Sequence, residues 1–183
     1  MQIHYDINHL PVFKNAVITI GTFDGVHEGH KKIIAQLTKT AAEAGGESVI
    51  ITFHPHPRKV VSSSILGIRL INTLSEKTEL LEQLGVDHLI VTPFTDVFAN
   101  QEPEDYLKDF LIDKFRPHTI IIGYDHHFGK NRKGDYKLLE RYQEKYQYNL
   151  KEIPKHILDD IGISSTKIRD AILNGDTTTT NHL

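Results

Sequence analysis

Short apolar runs alternate along the chain with stretches whose apolar residues recur at helical spacing. AVITIG, residues 16–21, is apolar, β-branched and ends in glycine, which predicts a buried strand. A polar, glycine-bearing segment, TFDGVHEGH, follows it. From His30 onward Ile33, Ile34, Leu37 and Ala41 form one stripe, predicting a helix that stops at Gly45–Gly46. SVIITF (48–53) is the next strand, broken by His54-Pro55-His56-Pro57. The rhythm then repeats. Ser75 is the candidate cap of a helix through Lys77, Leu80, Leu81 and Leu84 to Gly85, and HLIVTPF supplies a strand stopped by Pro93. A helix over 103–113 carries Tyr106, Leu107, Phe110 and Leu111. TIIIGY (119–124) is the strongest strand signal, and a charged helix over 134–146 turns Leu138, Leu139 and Tyr142 inward. A last strand over 150–153 precedes a short helix capped by Ser164 or Ser165, running through Ile168, Ala171 and Ile172 to Gly175.

Four or five apolar strands alternating with helices predict a three-layer α/β domain with a mostly parallel sheet. Such sheets bind ligands beyond the carboxyl ends of their strands. The polar clusters after Gly21, Phe53 and Tyr124 all fall at that edge, so the fold itself nominates a site.

Composition narrows the chemistry. The 183 residues suit one domain, and the absence of cysteine removes disulfide scaffolds, thiol catalysis and thiolate zinc sites. No apolar run approaches the roughly 18 residues of a membrane span. The opening MQIHYDINHLPVF has neither a basic n-region nor an apolar h-region, so a cytoplasmic location is expected. With 21 Lys and Arg against 24 Asp and Glu, the surface offers no general attraction to nucleic acid, although a local basic pocket is compatible with it. Twelve histidines are many for this length.

GTFDGVHEGH, residues 21–30, is the most informative segment. Its glycines permit close ligand approach, and His27 and His30 bracket a predicted helix start, where free N–H groups and the helix dipole favour phosphate. Two imidazoles there can donate to phosphate oxygens, and above all to charge that develops during reaction. The segment matches neither GxxxxGK[ST] nor GxGxxG. Asp24 either orients a ligand or a magnesium ion, or makes an Asx turn. His54 and His56 offer two zinc ligands that His126 and His127 would have to complete, and nothing in the spacing sets that geometry. The two prolines suit a rigid wall to a crevice.

GYDHHFGKNRKGD (123–135) follows the strongest strand, with Asp125 at its end and Lys130, Arg132 and Lys133 forming a local positive stretch. It is either a basic wall facing a phosphate-bearing small molecule or a solvated turn, and Phe128 either packs beneath it or stacks on a planar ring. ISSTKIRDAI (163–172) brings Ser164, Ser165 and Thr166 to a second helix start, with Lys167 and Arg169 behind them. Two phosphate-friendly helix starts in one small domain reinforce each other.

His27-Glu28-Gly29-His30 resembles the HxGH motif of the nucleotidylyltransferase superfamily, and ISSTKIR resembles its second signature. With TFHPHP (52–57) and GYDHHFGKNRKGD in the same order, the chain resembles the adenylyltransferase module of the prokaryotic bifunctional riboflavin kinase/FAD synthetase family from about Val17 to Gly175. The resemblance implies a Rossmann-like nucleotidylyltransferase fold. It also implies transfer of AMP from ATP to FMN, giving FAD and pyrophosphate, with Mg²⁺ accompanying ATP and no metal site built from protein ligands alone. It assigns His27, His30 and Arg169 to catalysis. Gly21, Phe23, Asp24, Gly29, Asp125, Ser164, Ser165 and Thr166 fall to ATP, and His54, Pro55, His56, Pro57, Phe128, Asn131 and Arg132 to the flavin. His54, His126 and His127 are departures, standing where many members carry acidic, aromatic or basic residues. The expected domain is 1–175, with 176–183 a frayed or cut end and a riboflavin kinase domain possible only in a longer parent chain. The implied partners are small molecules, with no nucleic acid or membrane. Two alternatives stay open: a related HxGH enzyme with another phosphorylated acceptor, and a non-catalytic flavin- or nucleotide-binding module.

Overall fold

A computed structural model describes residues 1–61, 69–154 and 163–176. The expected frayed end lies, past Asp176, outside the described residues. In chain order the elements are β1 (Gln2–His4), β2 (Val17–Ile20), α1 (Glu28–Glu43), β3 (Ser48–His54), α2 (Pro57–Val61), α3 (Leu74–Gln83), β4 (His88–Pro93) and α4 (Asp96–Ala99). A continuous helical run follows. It comprises α5 (Pro103–Asp105), a π-helical stretch over Tyr106–Ile112 and α6 (Asp113–Phe115). Then come β5 (Thr119–Gly123), a 3-10 turn at Lys130–Arg132, α7 (Tyr136–Tyr146), β6 (Asn149–Ile153) and α8 (Ser165–Leu173).

The six strands form one sheet in the order β1-β4-β3-β2-β5-β6, every neighbouring pair parallel. Alternation along the strands divides the core between two faces. Ile18, Ile20, Val49, Ile51, Ile120 and Ile122 pack with Leu107, Phe110, Phe115 and Leu139. Val17, Ile50, Leu89 and Ile121 pack with Ile34, Leu37 and Ala41 of α1 and Leu81 of α3. Coverage on both faces explains why the strands read as continuous apolar runs, and it establishes the Rossmann-like three-layer α/β architecture. The sheet grows from β2 toward β3 on one side and toward β5 on the other. The crevice between the carboxyl ends of β2 and β5 is therefore the topological switch point where such sheets bind ligands. Among the described residues no helix is long and apolar enough to cross a membrane.

Several local expectations are corrected. The helix assigned to a Ser75 cap is capped by Thr73, whose side chain accepts from Glu76 N while the Glu76 carboxylate accepts from Thr73 N, a reciprocal capping box. The 134–146 helix begins at Tyr136 because the Asp135 carboxylate caps it through Leu138 N. Leu80 and Ile172 lie outward (37% and 48% exposed), off the inner stripes occupied by Leu81, Ile168 and Ala171. Where the prolines suggested only a loop, Pro57 opens the short helix α2, as suits proline in a first turn. The strand β1, which the apolar pattern did not signal, pairs with β4 at the sheet edge.

Candidate nucleotide site

The polypeptide leaves β2 at Ile20 and turns sharply. Phe23, Gly25 and Val26 adopt positive φ (48°, 86° and 41°), which glycine tolerates and the other two adopt at a cost. The surroundings hold this strained loop in place. The Thr22 carbonyl accepts from Lys77 Nζ on α3 (2.7 Å) and from Thr52 Oγ1 on β3 (3.2 Å), and Gly25 N donates to Asn72 (3.1 Å). Phe23 and Val26 are both buried.

The loop delivers His27 to the cap of α1. There its Nδ1 accepts from His30 N (3.4 Å), which leaves the proton of the neutral ring on Nε2. The His27 and His30 rings stack with centroids 3.7 Å apart and planes 18° apart. A Cβ built on Gly29 would sit 3.2 Å from His27 Cε1 and Nδ1, so the glycine between the histidines makes room for the stack. Burial pushes the His27 pKa down to about 4, partly opposed by Asp24 and Glu28. Burial also pushes His30 well below its ordinary value, assisted by His27 and Lys77. His30 Nδ1 is buried with no hydrogen-bond partner. Both rings are therefore neutral at pH 7 and able to donate to an incoming anion. His56, at the start of α2, is also buried, and burial takes its pKa down to about 4, with Lys77, Arg58 and Arg169 adding to the shift and Asp24 opposing it.

Asp24 is buried, and its carboxylate is occupied: Oδ1 accepts from Ile71 N (2.9 Å) and Oδ2 from Arg169 Nη1 (2.7 Å). The sequence left Asp24 between a ligand or magnesium role and an Asx turn; the structure shows instead an internal anchor that reaches across the fold to α8. Ser165 Oγ donates to the Asp24 carbonyl (3.0 Å), so two residues of α8 fasten its first turns to the β2–α1 loop. Ser164 caps α8 through Lys167 N, and Ser164 and Thr166 are exposed. The two helix starts singled out in the sequence thus meet, and Gly21, Phe23, Asp24, Gly29, Ser165 and Arg169 belong to one cluster.

The expected flavin side is less convergent. His54 and Pro55 are exposed, Pro57 is half-buried and His56 faces inward. Asp125, Asn131 and Arg132 are exposed on the loop after β5. That loop is anchored rather than a free turn: Lys130 N donates to Gln101 O (2.7 Å), Lys130 pairs with Glu102 (3.1 Å), and Gly129 passes so close to Pro103 that a Cβ would lie 2.9 Å from its Cα. Phe128 packs beneath the loop, 6% exposed and 5.1 Å from the Tyr106 ring, the first of the two alternatives the sequence left open for it. Its apolar ring gains more from the core than from solvent. Among the described residues no three His, Asp or Glu side chains are grouped to hold a metal ion.

Three residues of the cluster escaped sequence reasoning: Lys77, Ile71 and Asn72. Lys77 had a signal, a cation on the inward stripe with Leu81. Ile71 and Asn72 act through a backbone N–H and a side-chain amide in an irregular segment, which no periodicity marks.

A family model for FAD synthetase matches residues 10–167. The chain belongs to the FAD synthetase family. It is 31% identical to a putative bifunctional riboflavin kinase/FMN adenylyltransferase of Geobacillus thermodenitrificans, over 96% of this chain and 92% of that protein. It is 34% identical to a FAD synthetase of Listeria monocytogenes (93% and 70%) and 35% identical to the bifunctional enzyme of Bacillus subtilis (88% and 50%). The chain thus spans about half the length of the B. subtilis relative and 53% of the Listeria bifunctional one. A solved structure of a macrolide-efflux protein from Streptococcus pneumoniae superposes over all of this chain and 59% of that one, with a TM-score of 0.81 at 23% identity, a likeness of fold. Family membership makes the HxGH cluster that of a nucleotidylyltransferase, and the chain a member of a family of enzymes.

Proposed function

We propose that the protein is an FMN adenylyltransferase, joining the AMP moiety of ATP to FMN and releasing pyrophosphate. The observation that carries the reading is the stacked His27–His30 pair at the start of α1, neutral and with the buried His30 Nδ1 unpartnered, next to a loop whose Asp24 holds Arg169. In the reaction an FMN phosphate oxygen attacks the α-phosphorus of ATP in line. The new P–O bond forms as the bond from the α-phosphorus to the α–β bridging oxygen breaks, and pyrophosphate leaves with that electron pair. A phosphate monoester is largely ionised near neutrality, with its second pKa at about 6, so no strong general base is needed. Catalysis rests on positioning and charge stabilisation. His27 Nε2–H and His30 donate to the polyphosphate. Arg169 spends one N–H on Asp24 and has others for phosphate. Gly21, Phe23, Asp24, Gly29, Asp125, Ser164, Ser165 and Thr166 shape the ATP side, and His54, Pro55, His56, Pro57, Asn131 and Arg132 border the flavin, with Phe128 supporting their loop from below. Mg²⁺ arrives with ATP as part of the substrate. Both Asp24 oxygens are already engaged, so no step is assigned to a protein-held ion.

Incubation with Mg²⁺, ATP and FMN, followed by chromatography, is expected to yield FAD and pyrophosphate, with riboflavin in place of FMN yielding neither FMN nor FAD. A folded protein that binds ATP and makes no FAD would overturn the assignment of acceptor.

A further inference from the structure

We propose that Lys77 is a positioning residue of the nucleotide site, which both holds the strained β2–α1 loop and supplies the site's net positive charge toward polyphosphate. The inference rests on the nucleotide-site reading above and adds to it a residue on a different element, α3. Lys77 is 8% exposed, and its ammonium donates to the Thr22 carbonyl at 2.7 Å. Thr52 Oγ1 already donates to that same carbonyl, so anchoring alone needs no second donor, least of all a cation. Burying an ammonium costs several kcal/mol unless charge nearby compensates it. The compensation here is partial: burial lowers the Lys77 pKa, and Asp24 alone opposes the shift. Asp24 is itself already paired with Arg169 at 2.7 Å.

The charged and titratable groups of the cluster come from every element packed around it. They are Asp24 from the β2–α1 loop, His27, His30 and, already paired with Lys31, Glu28 from α1, His56 and Arg58 at α2, and Arg169 from α8. With the three histidines neutral and Arg58 exposed at the rim, the inner charges Asp24, Arg169 and Lys77 leave one net positive charge at the centre of the cluster. Without Lys77 the centre is neutral. A cation close enough to His30 to act on its titration also disfavours a second cation on that ring, whose Nδ1 is buried and unpartnered, so the histidine waits as a neutral donor. Lys77 therefore acts through the loop and through His30, and it need not touch the nucleotide.

The test is calorimetric titration of the whole chain with inorganic tripolyphosphate and, separately, MgATP. Lys77→Gln removes the charge and keeps an N–H donor. Thr52→Val removes the other donor to Thr22 and keeps the charge. Lys77→Gln is expected to weaken tripolyphosphate binding about 10- to 100-fold, the scale of deleting one partly buried charge facing several. Thr52→Val should lower the melting temperature and weaken binding far less. Equal binding by wild type and Lys77→Gln, or equal losses in the two variants, would reduce Lys77 to a loop anchor and overturn the proposal. A second measurement needs no variant to fold. In wild type carrying ¹³C-labelled lysine, tripolyphosphate should raise the titration midpoint of Lys77, and an unmoved midpoint overturns the proposal. A wild-type protein that binds neither tripolyphosphate nor MgATP would instead overturn the nucleotide-site reading beneath it.

Discussion

Around the start of β4, His4 Nε2 and His88 Nδ1 lie 3.1 Å apart, and His88 Nε2 is 3.5 Å from Glu47 Oε1. Beyond the end of β2, His27 and His30 stack face to face and His30 Nδ1 has no partner at all. Both clusters are built from buried or half-buried imidazoles, and both pack against phenylalanine: His88 against Phe13 at 5.0 Å, His30 against Phe23 at 5.0 Å. Their difference lies in where the hydrogen bonds go. Both nitrogens of His88 find polar neighbours within the protein, so this ring stitches β4 to β1 and to Glu47. The second cluster leaves a buried polar atom unsatisfied, at a desolvation penalty of about 1–3 kcal/mol. At a helix start such a group is placed for an incoming ligand to complete it, so histidine count alone says nothing, and partner count together with position separates the two roles.

The largest expected effect comes from exchanging the damage between the clusters. His30→Ala removes a donor that works in the transition state, and turnover should fall by roughly tenfold to a thousandfold, about 1.4–4 kcal/mol, with little loss of thermal stability. His88→Ala should do the reverse, costing about 2–4 kcal/mol of stability through a cavity beside Phe13 and a stranded His4, with turnover retained. Pyrophosphate release and urea unfolding on the same two proteins check both. A normal rate in folded His30→Ala, or a crippled rate in folded His88→Ala, would erase the distinction.

The pH dependence sharpens the same contrast. His27 and His56 titrate at about 4 and His30 well below its ordinary value, all held down chiefly by burial. Between about 4 and the ordinary histidine value near 6.5, the unfolded chain therefore binds protons that the folded chain does not. Their contribution to stability is complete above pH 6.5 and is lost as the pH falls toward 4. His4 is shifted in the same direction by burial and by His88. The urea midpoint should drop through this window, and His56→Asn should flatten the drop more than His4→Asn. Equal slopes in the two variants would refute the ranking. Tripolyphosphate favours the protonated rings, so its binding near pH 5.5 should take up protons, seen as a dependence of binding enthalpy on buffer.

How much of this was legible before the structure follows from which forces write themselves locally. The strands β2 to β5 were readable because burial on both faces demands unbroken apolar runs. The strand β1 was not, since Gln2–His4 is short, mostly exposed and held by edge pairing to β4. The capping box at Thr73 and Glu76 was present in the sequence as a T-x-x-E pattern, and Ser75 was the wrong choice beside it. In the site, His27, Gly29 and His30 announced themselves by spacing. The Asp24–Arg169 pair joins residues 145 positions apart, and no local pattern reveals that one member of the second signature is already paired with the first loop. Phe128 illustrates the opposite limit. An aromatic in a basic loop is compatible with stacking or with packing, and only the position of Tyr106 decides.

The smallest effect separates the architecture of the stacked histidines from the stability of the helix that carries them. Gly29 lies in the first turn of α1 with an ordinary helical backbone, so an alanine there should favour the helix by up to about 1 kcal/mol. The same methyl group would sit 3.2 Å from the His27 ring, closer than ring and methyl tolerate, and the ring must give by a few tenths of an ångström. His27 then moves relative to His30 and to any phosphate both rings contact. Misplacement by about 1 Å can cost a hundredfold in rate, so this smaller shift should lower turnover by about tenfold or less. Gly29→Ala is therefore expected to melt at the same temperature as wild type or slightly higher while turning over more slowly, with KM for ATP less affected than kcat. Side-by-side melting curves and steady-state kinetics test the pairing of signs. A stabilised variant with an undiminished rate would mean that the 3.7 Å stack tolerates displacement, and that the glycine between the histidines serves the helix start instead of the ring geometry.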